Sequence, residues 1–144
     1  MIAPLRLVLD TNVVLSALLW HGRPAELLDL GATDQVRLFT SEALVAELER
    51  SLAKPRLAAR IAATGLNPSQ HSANYANVAA LVSPAPLDRH VSRDSDDDQV
   101  LACALAARAD AIVTGDDDLL VLGAWQDIAI LRVGECLEVL AALR

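Results

Sequence analysis

The sequence predicts an α/β domain built on a mostly parallel sheet. Short apolar runs alternate with longer helical segments along the chain, the pattern of parallel strands joined by crossover helices. Two of the runs end in carboxylates, Asp10 and Asp116. Open α/β sheets bind ligands at the carboxyl ends of their strands. The 144 residues contain no internal repeat, low-complexity tract or interdomain linker, so a single domain over 1–144 is expected.

The elements follow in order. Leu5 to Leu9 is a short apolar run of the kind that forms a buried strand. Asp10 then stands before Thr11 and Asn12, where it could cap the following helix or serve a site. Val13 to Leu19 reads as an apolar helix, broken at His21-Gly22-Arg23-Pro24. Pro24 opens the next helix, Ala25 to Leu30, and Gly31 stops it. Val36 to Phe39 is the second strand, and Thr40 or Ser41 caps a helix running to about Leu52. Pro55 starts another, to about Ala63. Gly65 and Asn67-Pro68 mark a turn before a helix through Leu81. Ser83-Pro84-Ala85-Pro86 permits at most a short edge strand. Asp94 to Asp98 precedes a helix to about Ala107. Ala111 to Val113 is a strand ending in Thr114-Gly115-Asp116, Leu119 to Leu122 a short helix, Ile128 to Leu131 a last strand and Gly134 to Leu143 a closing helix.

Hydrophobic residues make up 53% of the chain but aromatics only 3%, so Leu, Val and Ala must build the core. The net charge of −7 argues against non-specific nucleic-acid binding by the domain as a whole. From Arg50 to Leu87 there is no Asp or Glu, yet there are Arg50, Lys54, Arg56 and Arg60. That segment is +4, and the remainder, −7 less 4, is −11. Such a block is either a solvated face or a surface for an anionic partner. Cys103 and Cys136 show no metal spacing and read as buried, inert thiols. Arg6 and Asp10 come too early for a signal-peptide core, and the longest apolar run, Val13 to Trp20, is too short to span a bilayer. A cytoplasmic protein without a membrane partner is expected.

Acidic residues gather at element ends. In the helix after Ser41, Leu44, Val45, Leu48 and Leu52 form the apolar stripe. Glu42, Glu47 and Glu49 all flank it, so periodicity does not choose among them. In the Asp94–Asp98 run, Asp97 and Asp98 lie over Leu101 and Leu105, while Asp96 points away. Carboxylates on the buried face of a first helical turn are costly unless positive charge meets them. The helix N-terminus supplies part of that, and a bound cation is the natural remainder. Asp116, Asp117 and Asp118 follow the Ala111–Val113 strand just as Asp10 follows the first. Converging carboxylates without His or Cys form an all-oxygen site suited to Mg²⁺ or Mn²⁺. Such ions serve phosphodiester cleavage.

The motifs Leu-Asp-Thr-Asn (9–12), Ala-Glu-Leu (46–48), Asp98-Gln-Val-Leu-Ala-Cys-Ala and Val-Thr-Gly-Asp-Asp-Asp-Leu (113–119) together resemble the PIN domain, a family of metal-dependent ribonucleases. The likeness covers essentially the whole chain, in the right order. Ser16-Ala17-Leu18-Leu19, Ser41-Glu42, Leu48 and Lys54-Pro55 resemble the branch of toxins from toxin–antitoxin pairs. The resemblance implies a three-layer α/β/α fold with a four- to five-stranded sheet in the order 3-2-1-4-5. It also implies Asp10, Glu47, Asp98 and Asp116 as metal ligands and catalytic acids. Thr11, Asn12, Asp97, Thr114 and Asp118 are supporting polar residues. An RNA substrate, a cognate antitoxin and a homodimer are implied as partners.

Other classes compete. A phosphoacceptor receiver domain needs a late lysine near its acidic pocket, but the only lysine is Lys54. Rossmann and P-loop readings lack their glycine motifs. A non-catalytic PIN-like module that binds RNA or protein is the remaining alternative. For RNA, Arg50 and Lys54 are four apart, as are Arg56 and Arg60, and each pair is expected to share a helical face and carry phosphates toward the acids.

Overall fold

The computed structural model describes residues 3–87, 91 and 95–143. The elements are β1 (Leu5–Leu9), α1 (Thr11–Leu19), α2 (Arg23–Leu30), β2 (Val36–Thr40), α3 (Glu42–Leu52), α4 (Ala58–Ala63), α5 (Pro68–Val78), β3 (Ala80–Leu81), α6 (Ser95–Ala107), β4 (Ala111–Val113), α7 (Asp117–Leu120), β5 (Ala124–Trp125), β6 (Ile128–Leu131) and α8 (Val133–Ala142). A 3₁₀ turn, Pro55–Leu57, leads into α4.

The sheet has the order β3-β2-β1-β4-β6-β5. Five strands run parallel in the expected 3-2-1-4-5 arrangement, with β6 in the fifth place. The sixth, β5, pairs antiparallel with β6 at the edge. Gln126 and Asp127 both adopt positive φ, 52° and 63°, which allows the two-residue turn between these strands. Alternate strand residues point into two cores. Leu7, Leu9, Leu38, Ala111 and Val113 join the cluster containing α1 and α3–α5 residues. Val8, Phe39, Ile112 and Ile130 join the one containing α6 and α7 residues. This is the three-layer α/β/α arrangement.

Several boundaries differ from the sequence reading. The helix expected through Leu81 stops at Val78, where Ala79 becomes extended and Ala80–Leu81 pairs with the free edge of β2. The edge strand therefore precedes Ser83–Pro86. The helix expected at Leu119 to Leu122 begins earlier, at Asp117, because Asp116 caps it. The acidic run does not precede α6 but forms its first turn; Asp94 lies outside the described residues. Leu105 is 43% exposed, whereas Ala104 and Ala107 near it are buried, so the inward face of the last turns is alanine.

α3 ends at Leu52, one turn before Pro55, whose ring disfavours helical geometry at the preceding residue. Lys54 is extended, so Arg50 and Lys54 do not share the helical face expected of them. Arg60 on α4 donates from Nε to the Leu19 carbonyl and lies 5.4 Å over the Trp20 ring. It fastens α4 to the end of α1. No helix among the described residues is long and apolar enough to cross a membrane.

Candidate metal centre

Strands β1 and β4 are neighbours, with Leu9 opposite Val113, so the residues that follow them emerge side by side. The Asp10 amide donates to the Val113 carbonyl at 2.9 Å, continuing the ladder one residue further. Asp10 then caps α1: its Oδ1 accepts from the Thr11 amide at 2.8 Å. Asp116 caps α7 in the same way, its Oδ1 accepting from the Asp118 amide at 2.9 Å. Both reading frames for Asp10, cap and site, are therefore occupied by one side chain. Capping uses one lone-pair direction of one oxygen, and a carboxylate has about four such sites.

Thr114 joins the two acids. Its hydroxyl donates to Asp10 Oδ2 at 2.8 Å and accepts from the Asp116 amide at 3.0 Å. Only 1% of Thr114 is exposed, so neither bond competes with bulk water. The third acid comes from the first turn of α6. Carboxylate oxygens of Asp10, Asp97 and Asp116 all lie within 4.8 Å of one another. Asp10 and Asp97 are buried and Asp116 is half-buried. Three hard oxygen donors at this spacing fit a divalent cation that prefers oxygen, such as Mg²⁺ or Mn²⁺.

The triad holds Asp97 where the sequence assignment has Asp98. Asp98 is also buried, but its Oδ1 accepts from the Val91 amide at 3.2 Å. Both residues follow the inward prediction, and Asp96 is exposed as expected. The two differ by 100° of helix rotation, and only packing of α6 decides which one reaches Asp10.

Glu47 stands beside the triad rather than within its 4.8 Å group. Burial, then Asp96 and Asp10, push its carboxyl above the ordinary range, while a Thr11 side-chain hydrogen bond and Arg50 oppose them. Glu42 and Glu49 are exposed, and Glu49 accepts from Ser72 Oγ at 3.3 Å. Among the three glutamates of α3, Glu47 is thus the one facing the acids. Thr11 is buried and supports Glu47; Asn12 is exposed; Asp118 is half-buried and supplies its amide to Asp116. Of the basic residues, Arg50, Lys54 and Arg56 are exposed, and Arg50 lies within electrostatic reach of Glu47.

Comparison with known proteins places the fold. A family model described as PIN domain matches residues 6–118. Among solved structures, the fold is similar to that of FitAcB from Neisseria gonorrhoeae, with a TM-score of 0.56 and 19% identity over 89% of this chain and 98% of that one. It is also similar to the RRP44 PIN domain of T. brucei, with a TM-score of 0.51 and 14% identity over 98% of this chain and 83% of that one. No curated protein sequence gives a significant match.

Proposed function

We propose, given that this chain belongs to the PIN-domain family, that it is a Mg²⁺- or Mn²⁺-dependent endoribonuclease that hydrolyses RNA phosphodiester bonds. The observation that carries the proposal is the convergence within 4.8 Å of Asp10 and Asp116, which follow adjacent strands, and Asp97 from the first turn of α6. Asp10, Asp116 and one or both of Asp97 and Asp98 hold the metal, with Glu47 completing the acidic wall. When bound, the metal supplies activation of water and neutralises charge on the phosphate. Thr114 holds Asp10 and Asp116 in register, and Thr11 orients Glu47. Arg50, Lys54 and Arg56 offset the repulsion between RNA and an acidic site. Arg60 is committed to Leu19 and Trp20 and drops out of that role.

The toxin role, with a cognate antitoxin and a dimeric state, is proposed from the resemblance of the segments around Ser16–Leu19 and Lys54-Pro55 to the toxin branch. The test is cleavage of single-stranded RNA with Mn²⁺ or Mg²⁺. Activity lost in EDTA and in a folded Asp10→Asn variant is the expected result. RNA binding with no metal-dependent cleavage would instead identify a non-catalytic module.

A further inference from the structure

His71, on α5, is 2% exposed. Its Nε2 is 2.8 Å from Thr64 Oγ1. The Thr64 hydroxyl has a single hydrogen, directed to the Ile61 carbonyl at 2.6 Å, and it accepts from the Leu66 amide at 3.2 Å. Toward His71 it can therefore only accept. Nε2 must carry the hydrogen, which leaves Nδ1 as a bare acceptor. Nδ1 is buried and, among the described residues, has no hydrogen-bond partner.

This arrangement suits only the neutral ring. Protonation at Nδ1 would place a donor and a full charge where nothing receives them. The groups around the ring do not compensate. On α5 itself the other titratable side chain is Tyr75, whose buried hydroxyl is also unpartnered. From α3, Glu49 is engaged by Ser72 and Arg50 faces Glu47. From α4, Arg60 turns to Leu19 and Trp20; β3 is Ala80 and Leu81 and offers no charge. Burial is the cause that lowers the His71 pKa.

We propose that His71 is an acid-sensitive latch on the α4–α5 segment: neutral, it closes the turn through Thr64; protonated, it releases the segment from α3. A histidine favoured in its neutral form when folded leaves stability complete above its ordinary value of 6.5. Stability is lost as pH falls below that value, because the opened chain binds the proton more readily. Each pH unit raises the open population by up to about tenfold until the folded pKa is reached. The latch does not depend on the nuclease reading, since the acids take no part in it.

Histidine NMR of the wild-type protein tests the tautomer and titration of His71 directly. Amide exchange of residues 58–78, divided by intrinsic rates, is followed from pH 7.5 to 5. The expected result is an Nε2–H tautomer for His71, titration below the ordinary histidine value of 6.5, and protection falling by up to about tenfold per pH unit. In His71→Gln, whose amide donates to Thr64 without taking up a proton, protection should become independent of pH. An Nδ1–H tautomer, titration of His71 at or above that ordinary value, or the same pH dependence in the variant overturns the latch. If His71→Gln does not fold, the wild-type spectra decide alone.

Discussion

Thr114 divides one hydroxyl between two aspartates, and much of the site's geometry follows from that atom. In Thr114→Val the side chain keeps its shape, but Asp10 Oδ2 loses a donor and the Asp116 amide an acceptor. The expected cost is about 1–3 kcal/mol for buried groups left unpaired, together with weaker Mn²⁺ binding, read by melting and by metal titration. For α6, Asp97→Asn should weaken Mn²⁺ binding strongly, whereas Asp98→Asn should change it little, since an amide oxygen can still accept from Val91. The reverse ranking would return the third position to Asp98. Glu47 has a raised pKa in the metal-free protein, so the fold favours its protonated form. Stability on that account is present at low pH and lost as pH rises through the raised value. Glu47→Gln should therefore melt slightly above wild type in EDTA at neutral pH, and a clear drop would indicate a structural role. That Asp10 and Asp116 come together was legible because each follows a short apolar run, and neighbouring parallel strands bring such ends side by side. The choice between Asp97 and Asp98 was not, because both lie on the buried arc and the sheet's position sets the rotation.

Among the elements, the basic block separates into parts that spacing alone could not separate. Its four cations look alike in sequence, but α3 ends before Lys54, and Arg60 is turned into the fold. Arg60→Ala should cost about 1–2 kcal/mol, combining a lost hydrogen bond with a lost cation–π contact. Lys54→Ala should cost little, as its side chain is exposed; thermal unfolding of the two variants compares them. For RNA the order reverses. Replacing Arg50 and Lys54 by Ala should flatten the slope of log K against log salt by up to about 1.4, measured with non-cleavable RNA in the Asp10→Asn background. An unchanged slope removes these residues from the RNA path. The long elements were legible because their apolar period and caps agree. The two-residue strands β3 and β5 were not, since a pair of residues has no period, and each exists only because a neighbouring strand offers a free edge.

The whole molecule brings together acids from four separated parts of the chain, and on the proposed function this convergence would couple metal to folding. A ligand bound only to the folded state adds about 2.7 kcal/mol at a hundred times its dissociation constant. Melting temperature should therefore rise with Mn²⁺ in wild type and much less in Asp97→Asn with Asp116→Asn. Equal shifts would place the ion elsewhere. The parallel order of five strands was legible from alternation and resemblance, whereas the antiparallel sixth strand depends on the Gln126–Asp127 turn, which carries neither glycine nor a common turn pair. The central pairing of β1 with β4 has one more consequence. Asp10 receives its hydrogen bond from a residue 104 positions later. During synthesis the first aspartate leaves the ribosome long before Thr114, Asp116 and the β4 strand that hold the other half of its site. Until those residues emerge, the chain carries isolated carboxylates and no assembled centre. Connections of this length also slow folding, so the cluster of acids assembles only once the chain has grown past β4.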